Sequence, residues 1–183
     1  MVSAGKDRED EKEIEIIMSI FPPAIIGVKP SKMLPGEVGL FALRLLNKGT
    51  IINDPHVSKE KFFSTDVYKK LDKITQKVVA DFCNLLADGF YSVPDVNYMP
   101  ISWFCNHSCD PNAGMDKDGS IVLIKNVRGG VELTLDYGFY ATYPDWEMEC
   151  HCGSRNCRKI ITGNDWKDPE FFMKNKKWMY FDE

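Results

Sequence analysis

The residues Asn106-His107-Ser108-Cys109-Asp110-Pro111-Asn112 set amides, an imidazole, a hydroxyl, a thiol and a carboxylate directly after the apolar run Ile101 to Cys105. Further along, Cys150, Cys152 and Cys157 crowd together around His151. Read plainly, residues 106–112 make an Asn/Asp/Pro turn between strands. A Ser108–His107 nucleophile pair is disfavoured, because chain neighbours rarely face each other productively and His107 has no evident orienting partner. The crowded thiols suit a metal better than disulfides in an intracellular chain. A tetrahedral structural zinc takes four Cys or His ligands, so three thiols are one short. The fourth has to come from a distant residue, or from His151, which sits between two ligands where a chelate would be strained.

Two further stretches give these clusters a context. Glu132-Leu133-Thr134-Leu135-Asp136-Tyr137-Gly138 lies between them, and Gly39-Leu40-Phe41-Ala42 with Asn47-Lys48-Gly49-Thr50-Ile51-Ile52 lies upstream. In order and type, the Asn-His-Ser-Cys-Asp-Pro-Asn, Glu-Leu-Thr-x-Asp-Tyr and Cys-x-Cys-Gly-Ser-x-Asn-Cys-Arg motifs resemble the SET domain followed by its post-SET tail. The resemblance spans roughly residues 24–163. It implies a mostly β fold of small curved sheets around a knot-like crossing (the SET β-clip with its pseudoknot), a helical insert, a short zinc-binding tail and a C-terminal helix.

The resemblance also implies an activity: transfer of a methyl group from S-adenosylmethionine to the ε-amine of a protein lysine, with a histone-like basic peptide among the substrates that fit. Tyr137 matches the catalytic tyrosine. Val38, Gly39, Leu40, Asn106, His107 and Tyr137 match the cofactor-binding positions. Cys109 is implied as the fourth ligand beside Cys150, Cys152 and Cys157. Leu135 matches a substrate-channel position where relatives often carry Phe or Tyr, and its smaller side chain implies an enzyme not limited to monomethylation. A closed four-thiolate site is structural and leaves no open position for catalytic water, which argues against a zinc hydrolase. The competing reading is a non-catalytic SET-fold module that recruits protein partners.

Several residues depart from the family pattern. Glu37 and Val38 replace a glycine and an aromatic residue before Gly39, Trp103 replaces an arginine, Val131 an acidic residue and Lys159 a glycine. None of these removes Tyr137 or a thiol. Trp146 is either a tail aromatic over the adenine or simple packing. Whatever the details, a lysine acceptor must lose a proton to react, since its free pKa is about 10.4, and a dry channel beside a cationic donor favours that loss.

The elements that must position these groups are read from periodicity. Short strands are expected at Ala24 to Val28, Val38 to Leu43 and Thr50 to Ile52, and strands again after Pro100, with Asp118-Gly119 as a hairpin turn and Gly129-Gly130 before Val131 to Leu135. Val67, Leu71, Ile74, Val78, Phe82 and Leu85 recur at helical spacing, predicting one amphipathic helix from Asp66 to Ala87, capped by Ser64 or Thr65 and ended by Gly89. Asp168-Pro169 opens a short helix through Phe171, Phe172 and Trp178. The expected organisation is a charged lead (1–23, with a short helix through Ile14, Ile17 and Met18), a SET domain (24–140, insert about 64–88), a zinc segment (141–163) and a C-terminal helix (164–183).

Composition bounds the rest. The 183 residues carry a net charge of -4. Most of that excess lies before residue 16, where Asp7, Glu9, Asp10, Glu11, Glu13 and Glu15 outnumber Lys6, Arg8 and Lys12. The near-neutral remainder has no electrostatic footprint for nucleic acid but tolerates a basic peptide. No apolar run is long enough for a membrane helix and no secretory core is present, so the expectation is a soluble intracellular protein with no membrane partner.

Overall fold

The computed structural model describes residues 22–180, so the expected Ile14–Met18 helix lies outside the described residues. Short strands dominate. β1 (Ile26–Pro30) and β2 (Val38–Ala42) form an antiparallel pair, with Gly27 opposite Phe41. β3 (Ile51–Asn53) pairs antiparallel with β9 (Ile121–Leu123), which also pairs with β8 (Ala113–Met115). β6 (Gly89–Ser92) lies between β4 (Lys61–Ser64) and β5 (Asn84–Leu85). β7 (Asn106–His107) runs parallel to β10 (Thr134–Leu135), and β11 (Glu147–Glu149) pairs antiparallel with β12 (Ile160–Thr162). The expected Asp118-Gly119 turn joins β8 to β9, with Gly119 at φ 81°, a conformation costly for a side chain with a Cβ. Between the sheets, Leu40, Leu123, Leu133, Leu135 and Phe139 form the buried centre.

The insert is not one helix. α1 (Pro55–Ser58) is a single turn, α2 (Thr65–Lys70) stops at an extended Leu71, and α3 (Lys73–Phe82) starts afresh. Asp72 forces the restart, because its carboxylate accepts hydrogen bonds from the amides of Ile74 and Thr75, satisfying orphan donors of a new N-terminus. The break re-phases the chain: Ile74, expected on the buried stripe, is 80% exposed, and Val79 is buried instead. Ser64 stands at the α2 cap position without a side-chain cap bond, and Gly89 opens β6 instead of ending a helix. The apolar run after Pro100 also differs from expectation, forming a 3₁₀ turn at Ile101–Phe104 before the short β7. Of Val131 to Leu135, the ladder takes in the last two residues. Asp168-Pro169 behaves as read: Asp168 accepts from the Glu170 and Phe171 amides and α4 spans Pro169–Asn175, ending before Trp178. Among the described residues, no helix is long and apolar enough to cross a membrane.

Segments 106–112 and 132–137 lie side by side and are bonded at several levels. Beyond the β7–β10 pairing, the Asn112 amide donates to the Glu132 carbonyl and accepts from the Thr134 N–H, and the Ser108 N–H donates to the Leu135 carbonyl. The buried Glu132 carboxylate accepts from the Ser31 hydroxyl, the Lys32 amide and the Asn106 side chain, tying the β1–β2 loop to the same crossing. Gly39 makes this possible. A Cβ there would collide with the Glu132 carboxylate and lie 3.0 Å from Asn106 Nδ2. Gly39→Ala is therefore expected to destabilise the fold by about 1–3 kcal/mol through overpacking against groups that have no room to retreat, read as a lower urea midpoint.

Candidate functional site

Tyr137 opens a 3₁₀ turn (Tyr137–Phe139) that begins where β10 ends, capped by Asp136, whose carboxylate accepts the Gly138 N–H at 3.0 Å. The phenol donates to the Cys105 carbonyl at 3.1 Å. Burial pushes the phenol pKa well above the ordinary tyrosine value, so the group is neutral at physiological pH and acts through hydrogen bonds, not as a phenolate base. Tyr140 is raised in the same direction, again by burial first.

His107 connects this turn to the cysteines. The Tyr137 amide donates to His107 Nδ1 at 3.1 Å, which leaves Nδ1 without a proton. In the neutral ring the proton then sits on Nε2, 3.3 Å from Cys109 Sγ. Burial pushes the imidazole pKa down to about 4, against the pull of the nearby Asp136 carboxylate, so the neutral ring is the physiological form.

The Sγ atoms of Cys109, Cys150, Cys152 and Cys157 all lie within 4.8 Å of one another, and all six cysteines are free thiols. Cys109 and Cys150 sit 3.8 Å apart, the edge of about 3.8 Å expected for a tetrahedron with metal–sulfur bonds of about 2.3 Å. Such a spacing is far from a disulfide bond of about 2.05 Å. Burial raises the Cys109 and Cys150 thiols; Cys152, although burial opposes it, is drawn down by hydrogen bonds from the Ser154 hydroxyl and the Cys109 amide. In the bare cluster the Cys109 and Cys150 thiols resist ionising, and a bound cation is what would let them. The donor set and its spacing therefore fit a soft, tetrahedral metal. β11 and β12 hold the ends of the cysteine loop.

Arg158 follows the last cysteine and was not singled out by sequence reasoning. Its guanidinium binds Asp136 in a bidentate fork at 2.6 and 2.7 Å, lies 4.6 Å from the Phe171 ring centroid, and its amide points to Cys109 Sγ at 3.4 Å. Asp165 lies 3.1 Å from Nε as a charge contact too poorly aligned to count as a hydrogen bond. The adjacency of Arg158 to Cys157 and of Asp136 to Tyr137 was visible in sequence, but their pairing was not.

A cavity of about 240 Å³ opens beside Tyr137 and Leu135, with Cys105, Trp103, Tyr140 and Trp146 among its walls. Trp103 packs against the small cluster of Val79, Cys83 and Phe90, giving this position an apolar role. Trp146 lies 6.3 Å from Tyr137, ring to ring. The remaining expected residues gather nearby. Asn106 Nδ2 donates to the Val38 carbonyl and to Glu132, while no donor among the described residues reaches its Oδ1. Gly39 lies against both, and Leu40 is buried with its carbonyl bonded to Leu133 N–H, so its side chain belongs to the core. Val38 is partly exposed.

Short β-sheets around a bonded crossing, closed by four clustered thiols, define the class of architecture. Residues 37–138, more than half of the chain, match the SET domain, and the protein belongs to that family. Similar proteins include the Arabidopsis thaliana histone-lysine N-methyltransferase ASHH2, 35% identical over 33% of this chain and 4% of that protein. The H3 lysine-36 specific histone-lysine N-methyltransferase of Debaryomyces hansenii is 38% identical over 36% of this chain and 10% of its own length. The Danio rerio histone-lysine N-methyltransferase SUV39H1-A is 31% identical over 40% of this chain and 26% of its length. The chain thus spans about a quarter or less of the length of these relatives.

Replacing Arg158 by alanine would leave the buried Asp136 carboxylate unpaired, and is expected to cost about 3 kcal/mol in chemical denaturation. Arg158→Lys is expected to recover only part of that loss, because an ammonium cannot reproduce the bidentate fork.

Proposed function

We propose that this chain transfers methyl groups from S-adenosylmethionine to the ε-amine of a protein lysine, with Tyr137 as the catalytic residue and one zinc ion held by Cys109, Cys150, Cys152 and Cys157. The observation that carries the reading is the neutral, fixed phenol of Tyr137 at the wall of a cavity with aromatic and aliphatic sides.

S-adenosylmethionine, when bound, supplies an electrophilic methyl group for direct displacement by an amine. To hold it we assign Asn106, whose Oδ1 meets no donor among the described residues and is available to an ammonium group, the backbone of Val38, Gly39 and Leu40, His107 and Tyr137. The chain's part is to orient the acceptor and to disfavour its ammonium form, so that the amine gives its proton to solvent before it reacts. Tyr137 spends its proton on the Cys105 carbonyl, so its oxygen is left to accept from the lysine amine and fix its direction. Around it, Leu135, Trp103, Tyr140 and Trp146 present little that would solvate an ammonium, which lowers the acceptor's pKa and favours the free amine. Leu135 offers space and no hydroxyl, which supports products beyond monomethyl-lysine.

Zinc, when bound, supplies the charge that lets the four thiols ionise in one place. His107 and Arg158 then carry that order to the Tyr137 turn. The relatives named as histone-lysine methyltransferases support a histone as substrate, and the charged groups on the cavity wall favour a basic peptide: Glu60 and Asp118 line it beside an Asp81 already paired with Lys77, with no lysine or arginine among the described lining residues.

The test is transfer of an isotopically labelled methyl from S-adenosylmethionine into core histones and whole-cell protein by the zinc-loaded chain and by Tyr137→Phe. Label on lysine, including di- or trimethyl-lysine, and a loss of at least about a hundredfold in the mutant are expected, as for removal of a group that positions the reacting atoms. Donor binding without transfer to any protein would identify a non-catalytic module, and a product that stays monomethyl at full conversion would contradict the role given to Leu135.

A further inference from the structure

We propose that the part of the cavity bounded by Glu60, Tyr91 and Tyr180 is a subsite for a second basic side chain of the substrate, an arginine fitting best; this rests on the lysine-peptide reading above. Glu60 is built into the wall. Its Oε1 accepts from Asn53 Nδ2 at 3.0 Å and from the Ser58 hydroxyl at 2.7 Å, and Asn53 is itself held by the buried Ser102 hydroxyl at 2.8 Å. The carboxylate is thus fixed in place, with Oε2 free of side-chain or backbone donors among the described residues. None of the ion pairs among the described residues involves Glu60, so this half-buried acid faces the cavity with no cation from those residues beside it. Desolvating a carboxylate is unfavourable unless a partner completes it.

The aromatic rings beside it point to the kind of cation. Tyr91 and Tyr180 meet edge to face with centroids 5.6 Å apart, and Phe62 supports Tyr91 from behind at 5.5 Å. Tyr180 rests against Gly119, where a Cβ would lie 2.9 Å from its ring, so the ring's position depends on the glycine. A fixed carboxylate with Oε2 open, beside two tyrosine rings, offers a planar guanidinium a charge-assisted acceptor and a face to stack on, and suits an ammonium less well. Tyr137 and Leu135 line the same cavity, so a peptide whose lysine reaches Tyr137 has its neighbours within reach of Glu60.

The experiment measures direct binding of fluorescent synthetic peptides to the zinc-loaded full chain, independently of methyl transfer. Each peptide has a central lysine, and one arginine is scanned across the flanking positions, with citrulline as the neutral counterpart of equal shape. At one position arginine is expected to bind about tenfold more tightly than citrulline, the worth of one charge-assisted contact. Glu60→Gln keeps the acceptor for Asn53 and Ser58 and is expected to erase that ratio while leaving the citrulline peptide unchanged; Tyr180→Leu is expected to reduce it. Near-ultraviolet circular dichroism checks that both variants fold. Equal binding of arginine and citrulline peptides at every position, or a ratio that survives Glu60→Gln, overturns the subsite even if methyl transfer is found. Absence of methyl transfer with an intact, Glu60-dependent arginine preference sinks the catalytic reading and leaves a peptide-binding site.

Discussion

The structure depends on the bonding of two chain segments that are remote in sequence, 106–112 and 132–137. A two-residue parallel ladder cannot hold them alone. What holds them is the accumulation of polar bonds that burial makes expensive to break: the Asn112 amide on the 132–134 backbone, Ser108 on Leu135, and the His107 ring on the Tyr137 amide. Gly39 and Glu132 dock the β1–β2 hairpin onto the same place. The residues proposed to hold donor, acceptor and metal all stand on or beside this crossing, so their relative positions are set by one network instead of by separate loops.

That arrangement gives the cysteine tail a structural reason to sit against this domain. Cys109 sits inside the crossing while its three partners sit on the loop between β11 and β12, so a single metal ion bound by all four would fasten the tail over the Tyr137 turn. Two side chains then relay the fastening. His107 lies between Cys109 and the Tyr137 backbone, and Arg158 lies between the cysteine loop and Asp136. Because the imidazole is neutral and the guanidinium is always charged, neither link is switched by ordinary changes of pH.

The candidate site residues were legible in the sequence because they fall in motifs of fixed residue type and spacing. Tyr137, Asn106, His107 and the four cysteines were each marked by a motif, and the short strands by Gly and Pro punctuation. What was not legible depended on where the chain turns back on itself. The Arg158–Asp136 fork joins residues 22 apart through a fold that periodicity does not encode. Glu60, Tyr91 and Tyr180 belong to no motif and meet because β4, β6 and the C-terminal turn converge. The insert was misread for a local reason: helical spacing of apolar residues outweighed the Asp72–Thr75 capping signal, which the backbone obeyed. Likewise, the apolar run Ile101–Phe104 suggested a strand but is a 3₁₀ turn that delivers the chain to β7.

The claim that the thiol centre and the Tyr137 shelf form one unit is tested most directly by calorimetric titration of S-adenosylmethionine into the same protein zinc-loaded, stripped by chelator, and reloaded. The account predicts one donor site per chain whose affinity falls by at least about tenfold without zinc and returns with it, since metal and donor share a coupling free energy carried by His107 and Arg158. Donor affinity that is unchanged in stripped but still folded protein would contradict it.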